Sequence, residues 1–207
     1  LAFDLLAQLF SQFRRINPGV MFYLNVGTAA DVSEMIHNGE VELALQFSLV
    51  AERGVDILAS FPAPVRMVMR PDHPLAEADI QLTNLHPYPL AMNEQGSTIR
   101  QLFDLSCRMS GIFLEPAVSC NRFSTLYDFT VQTPGAIAAC SHFSIMYKAR
   151  RDNLRVKPVN IEQLSQRTLQ LQSPAGKRRS ASLSQFTDFI RDELTRENDA
   201  FIRDFGL

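Results

Sequence analysis

Two short runs, Gly27-Thr28-Ala29 and Gly96-Ser97-Thr98, combine residue types that can hold a small anion. Each sets a glycine and a hydroxyl just ahead of a helix-like stretch, whose first backbone N–H groups have no intrahelical partner. Those amides, with the positive end of the helix dipole behind them, suit a carboxylate. Arg100, one turn further on, adds a guanidinium able to grip a carboxylate bidentately, although a plain surface arginine is the other reading. Ser and Thr are also common helix caps, so either run alone reads first as a helix start. Finding two, one in each half of the pattern below, puts a ligand site on an equal footing. Neither is a phosphate loop, because no Lys follows a GxxxxG spacing.

The remaining reactive residues form no constellation. His37, His73, His86 and His142 lack partners three or four residues away, so no metal is expected. Cys140 and His142 could pair as nucleophile and base, but neighbours at a strand end are a weak signal for that chemistry. Cys107, Cys120 and Cys140 are odd in number and widely spaced, which reads as free buried thiols in a reducing compartment. Arg150, Arg151, Arg155 and Lys157 make a basic patch without interleaved aromatics, better suited to a solvated face than to a nucleic-acid track. No cofactor is implied.

Composition narrows the classes. The 207 residues are 46% hydrophobic, enough to bury a core, and 20 basic against 22 acidic residues leave a net charge of -2. That balance is a poor match to a polyanion. No run approaches the length of an apolar membrane span. The chain opens at Leu1 in helix-like periodicity, with no basic and apolar leader, and reads as a fragment.

The elements that must position the two runs follow from periodicity. Leu5, Leu9, Phe13 and Ile16 stripe a first helix that Pro18-Gly19 ends. Val20, Phe22, Leu24 and Val26 alternate as a strand, and Thr28 with Asp31 has capping-box spacing for the next helix. Leu43 to Phe47 reads as a buried parallel strand, completing a βαβ unit. Val55 to Leu58 and Val65 to Met69 predict further strands. Six of the eleven prolines lie between residues 62 and 89, where Pro71-Asp72-His73-Pro74 reads as an extended crossover. A second series follows: strand 89–92, helix from Ser97 to Cys107, strand 115–120, helix 124–132 and strand 136–139. A second extended stretch (154–159), a strand (168–172) and a helix striped by Leu183, Phe186, Phe189, Ile190 and Leu194 complete the chain. The class is α/β, with two lobes and a cleft between them.

The run from Leu5 through Phe10 and Arg14-Arg15 to Pro18-Gly19-Val20 resembles the opening of LysR-type transcriptional regulator effector domains. Asn38-Gly39-Glu40-Val41-Glu42-Leu43-Ala44-Leu45 is similar to the family's "G-E-x-D-x-A-I". His73-Pro74-Leu75-Ala76, Gly96-Ser97-Thr98-Ile99-Arg100 and Phe186-Thr187-Asp188-Phe189-Ile190 match in order, so the resemblance covers nearly the whole chain. Pro134-Gly135-Ala136-Ile137-Ala138-Ala139-Cys140-Ser141 departs from "G-x-G-I-A-x-x-P", losing the second Gly and the Pro.

The resemblance implies two Rossmann-like lobes of periplasmic-binding-protein type: residues 1–71 with 159–207, and residues 72–158. It implies a small-molecule effector between the lobes, a homodimer or homotetramer in the bacterial cytoplasm, and DNA contact through an N-terminal winged helix-turn-helix outside this fragment. It implies no enzymatic activity and no membrane partner. It also places the family's first strand ahead of Leu1. Site residues carried over are Thr28 and Ala29, Phe47, Gly96, Ser97, Thr98 and Arg100, and Arg122, Phe123 and Ser124 on the cleft side of lobe two. Phe47 stands where some carboxylate-sensing members place an Arg, which points away from a strongly anionic effector. A free-standing solute-binding protein of the same fold is the alternative. Phe10, Phe13 and Met35 either reach a dimer interface or fill lobe one.

Overall fold

The computed structural model describes residues 3–50 and 52–207. In chain order its elements are α1 (Phe3–Ile16), α2 (Ala29–His37), β1 (Ala44–Ser48), β2 (Val55–Pro62), β3 (Arg66–Met69), β4 (Leu90–Asn93), α3 (Thr98–Met109), β5 (Val118–Cys120), α4 (Phe123–Gln132), β6 (Ile137–Cys140), α5 (Lys148–Arg151), β7 (Arg155–Pro158), α6 (Glu162–Ser165), β8 (Thr168–Pro174) and α7 (Ala181–Phe205). Two sheets result, a three-stranded one in the order β1-β8-β2 and a five-stranded one in the order β5-β4-β6-β3-β7. The α/β class and the two-lobed plan are as expected.

Lobe two is the regular half. Its core strands β4, β5 and β6 run parallel, β3 lies antiparallel beside β6, and β7 at the edge is antiparallel to β3 and so runs with the other three. Alternation along the strands divides their side chains. Met67, Met69, Met92, Ile137 and Ala139 face Ile99, Leu102 and Phe103 of α3, and Val68, Ala91 and Ala138 face Leu126 and Tyr127 of α4. Gly111, with φ of +65°, ends α3 in the left-handed region that favours glycine.

In lobe one, Leu5, Leu9 and Phe13 of α1 meet Phe186, Ile190 and Leu194 of α7 over Leu169 and Leu171 of β8. Phe10 stacks on Phe22 at 4.4 Å and Phe13 is buried against Phe186, so both rings fill this lobe. The other face of β8 carries an amide ladder. Gln46 donates to Gln172 at 2.7 Å, Gln172 to Gln170 at 2.8 Å, and Gln170 to the Thr168 hydroxyl at 3.0 Å.

Five expectations change. Val20–Val26 forms no strand and joins no ladder among the described residues, and Met21, Tyr23 and Val26 are exposed. The expected βαβ unit therefore does not form. Ala44–Ser48 is a strand, but its partner is β8, antiparallel. Arg66–Met69, expected in lobe one, pairs with β6 and β7 of lobe two. The chain crosses between sheets at Ala63–Val65 instead, where the Ala63 N–H donates to the Arg167 carbonyl at 2.8 Å and the Val65 N–H to the Leu164 carbonyl at 2.8 Å. Pro71–Pro74 is thus a turn within lobe two. His73 is buried in it, accepting from the Leu75 N–H through Nδ1 at 3.0 Å and donating from Nε2 to the Gly135 carbonyl at 3.1 Å. The final helix also runs past Leu194 to Phe205, where Phe201 stacks near His142 of lobe two.

Candidate functional site

The carboxyl ends of β4, β5 and β6 converge with the amino end of β3. Asn93 pairs with Cys120, and Arg66 pairs with Cys140. Beyond these ends lie Gly96-Ser97-Thr98, Arg122-Phe123-Ser124 and Ser141-His142, the region where open α/β sheets hold ligands. Gly96 turns the chain at φ +92° into α3, and the Ser97 hydroxyl caps it by accepting from the Arg100 N–H at 3.2 Å. Arg100 itself is engaged along the helix, its Nε 2.7 Å from the Asp104 carboxylate. Arg122 and Ser124 are exposed at the head of α4, and the Phe123 ring lies 6.3 Å from Tyr127.

Arg167, which no motif or periodicity marks in the sequence, sits where the lobes meet. It immediately precedes β8 of lobe one and is 1% exposed. Its guanidinium lies 3.9 Å over the Phe47 ring, its Nε donates to the Ala63 carbonyl at 3.1 Å, and its Nη1 makes a long 3.5 Å approach to the Thr98 hydroxyl. Two residues expected from sequence, Phe47 in lobe one and Thr98 in lobe two, are thereby brought together by a third. Nη2 of Arg167, Nε of Arg66 and Oγ of Ser141 are buried without hydrogen-bond partners among the described residues.

Thr28 and Ala29 begin α2 in lobe one. The Thr28 hydroxyl accepts from the Asp31 N–H at 3.2 Å, and the Asp31 carboxylate accepts from the Thr28 N–H at 2.8 Å. These hydrogen bonds hold the Asp31 carboxyl below its usual range. A Cβ on Gly27 would lie 2.7 Å from the Asp31 Cβ, so the glycine makes room for this box. Replacing Thr28 with Ala is expected to destabilise the domain by about 0.5–2 kcal/mol. Urea unfolding measures it, and an unchanged midpoint would mean the cap contributes nothing.

Cys140 and His142 do not form a catalytic pair. The Cys140 thiol is fully buried and pushed up to about 12 by desolvation, so thiolate is disfavoured at neutral pH. His142 donates from Nε2 to the Asn198 side-chain oxygen at 2.8 Å. The basic patch is largely met by carboxylates: Arg150 reaches Asp204 at 2.8 Å, Arg151 reaches Asp152 at 2.7 Å and Arg155 reaches Glu77 at 3.3 Å. Among the described residues no cluster of His, Cys, Asp and Glu could hold a metal ion, and no helix is long and apolar enough to cross a membrane.

The family model of the LysR substrate binding domain matches residues 1–195. The chain belongs to this family. As a LysR substrate-binding domain it is an effector-sensing regulatory domain with the periplasmic-binding-protein-like fold, and not an enzyme. Solved structures agree on the fold. The regulatory domain of CcmR from Synechocystis PCC6803, described in complex with 2-PG, is 19% identical with a TM-score of 0.69, over 91% of this chain and 90% of that one. The effector-binding domain of QuiR, described with shikimate, is 19% identical with a TM-score of 0.66, over 92% and 90%. An OxyR from Corynebacterium glutamicum is 16% identical with a TM-score of 0.70, over 98% of this chain but 64% of that one. No curated protein sequence matches. None of these likenesses supports the solute-binding alternative.

Proposed function

We propose that this LysR substrate-binding domain senses a small molecule held between its lobes, and that the bound molecule alters DNA binding by a separate winged helix-turn-helix domain. The observation that supports it is a buried arginine spanning the boundary at the strand ends. Arg167 leaves the start of β8, rests on Phe47 and reaches the head of α3 in lobe two. A ligand there touches both lobes at once, and if it binds one arrangement better than the other it shifts their population. The pocket is proposed to use Phe47, Gly96, Ser97 and Thr98, with Arg122, Phe123 and Ser124 on the lobe-two rim and Thr28-Ala29 across from them. The working regulator is read as a cytoplasmic homodimer or homotetramer in a bacterium. That CcmR and QuiR domains are described with 2-PG and shikimate fits a small-molecule effector.

The test is a thermal-shift screen against amino acids, aromatic and aliphatic carboxylates and sugar phosphates. A ligand at about a hundred times its dissociation constant adds roughly 2.7 kcal/mol of stability. At least one compound is expected to raise the melting temperature, and Thr98→Ala should lose most of that gain. A compound that stabilises the wild type and Thr98→Ala equally would place the effector elsewhere.

A further inference from the structure

We propose that the interlobe site takes a carboxylate, gripped by Arg167 at the head of α3 and by Arg66 at the carboxyl end of β6, an assignment that rests on the sensor reading above and names its effector class. Two guanidiniums approach the carboxyl ends of the lobe-two strands, and neither makes an ion pair among the described residues. Arg167 is almost wholly buried and its Nη2 has no acceptor; Arg66 is half-buried and its Nε has none. A buried cation normally carries a carboxylate partner, because desolvating an unpaired charge is costly. Here the partners are a ring face, one backbone carbonyl and a distant hydroxyl. The titratable groups coupled to both arginines are the neutral Cys140 thiol and the neutral His142 imidazole, and neither supplies a negative charge at neutral pH.

Burial lowers the Arg167 guanidinium to about 9, still protonated at neutral pH. The positive end of α3, twelve residues long, adds to the same field. Phe47 covers one face of the guanidinium by cation–π contact, and the Nη2 at its edge carries no acceptor among the described residues. The cation absent at position 47 is therefore supplied from a residue 120 positions later. An aromatic at that position, which by itself points away from an anionic effector, becomes the platform for the arginine. Arg100 does not share in this grip, since Asp104 already neutralises it.

Thermal shifts of the chain with formate, benzoate and succinate, each beside its uncharged amide, test the assignment, with sodium sulfate at matched ionic strength as the inorganic arm. At least one carboxylate is expected to stabilise saturably while its amide does not. Arg167→Gln and Arg66→Gln should each weaken half-saturation by about tenfold to a hundredfold, the range for a charged hydrogen bond, and Arg100→Gln should leave it unchanged. Should Arg167→Gln fail to fold, the half-buried Arg66→Gln and the charge-retaining Arg167→Lys carry the comparison.

Amides as effective as carboxylates, or a carboxylate response that survives both glutamine variants, would overturn the proposal. So would silence from all three carboxylates at about 100 mM, two decades above a weak millimolar site. Sulfate binding through both arginines without any carboxylate response would overturn the carboxylate class. An uncharged effector that depends on Thr98 but not on Arg167 would leave the sensor reading standing and remove this one. If Arg167 is only a strut between lobes, Arg167→Gln lowers the melting temperature and no anion acts through it, which also overturns the proposal.

Discussion

Replacing Phe13 with Ala is expected to lower the stability of the domain by about 3–5 kcal/mol, the range for emptying a buried aromatic site. Phe13 is 2% exposed and lies against three rings, with centroids at 4.9 Å to Phe186, 5.3 Å to Phe189 and 6.3 Å to Phe22. Those rings come from α7 and from the segment before α2, so one side chain ties three pieces of lobe one together. Natural domains keep only about 5–15 kcal/mol in total, so the variant should approach the folding threshold. Phe10→Ala is the internal comparison: Phe10 is half-buried and stacks chiefly on Phe22, so its loss should be distinctly smaller. Equilibrium unfolding in urea reads both, through a shifted midpoint at unchanged slope. A Phe13→Ala loss below that of Phe10→Ala would show that α1 is not clamped on α7. Leu169 and Leu171 share this core, so the strand behind Arg167 depends on the same packing.

Local devices are legible in the sequence. The α1 stripe, the Thr28–Asp31 box and the Ser97 cap are short-range devices, and each appears where its spacing puts it. Partnering was the unreadable part. Leu43 to Phe47 looks like a buried strand, but its neighbour is β8, with Gln46 bonded to Gln172 across 126 positions. Nothing near Gln46 carries that information. Val20–Val26 has perfect alternation and still makes no ladder, since period two reports a pleated surface and not a neighbouring edge. The head of α3 could be picked out from Gly96, Ser97 and Thr98 alone. Arg167 could not, because a single arginine at a strand entrance gains its meaning from Ala63, 104 positions earlier, and from the ring of Phe47.

Lowering the pH from 6.5 to 4 is expected to remove about 3 kcal/mol of stability through His142 alone, as follows from a shift from 6.5 to about 4 at 1.36 kcal/mol per unit. Burial is the main cause, the Asn198 hydrogen bond opposes it, and the positive charges of Arg66 and Arg167 add to it. With Nε2 donating to Asn198, Nδ1 is a buried acceptor without a donor, and the ring lies between Phe143 at 4.2 Å and Phe201 at 5.6 Å. Protonation would place a third cation beside two arginines. Across this window the unfolded chain binds a proton at this histidine and the folded chain does not. The stability is therefore complete above the unfolded value and falls as the solution is acidified. His73, lowered mainly by burial, acts in the same direction, whereas exposed His37 is raised by the Ser33 and Arg53 carbonyls and acts oppositely. Asp152, held at about 2 first by Arg151, gives up its contribution as the pH falls from 3.8 to about 2, so the two windows adjoin with little overlap. Urea unfolding of the wild type and of His142→Gln between pH 7.5 and 4 isolates the effect, and equal slopes in the two proteins would refute it. Arg66→Gln should flatten the same slope by relieving His142 of one positive neighbour. A saturating carboxylate should do so as well, because an anion between Arg66 and Arg167 cancels the field that helps keep this imidazole neutral.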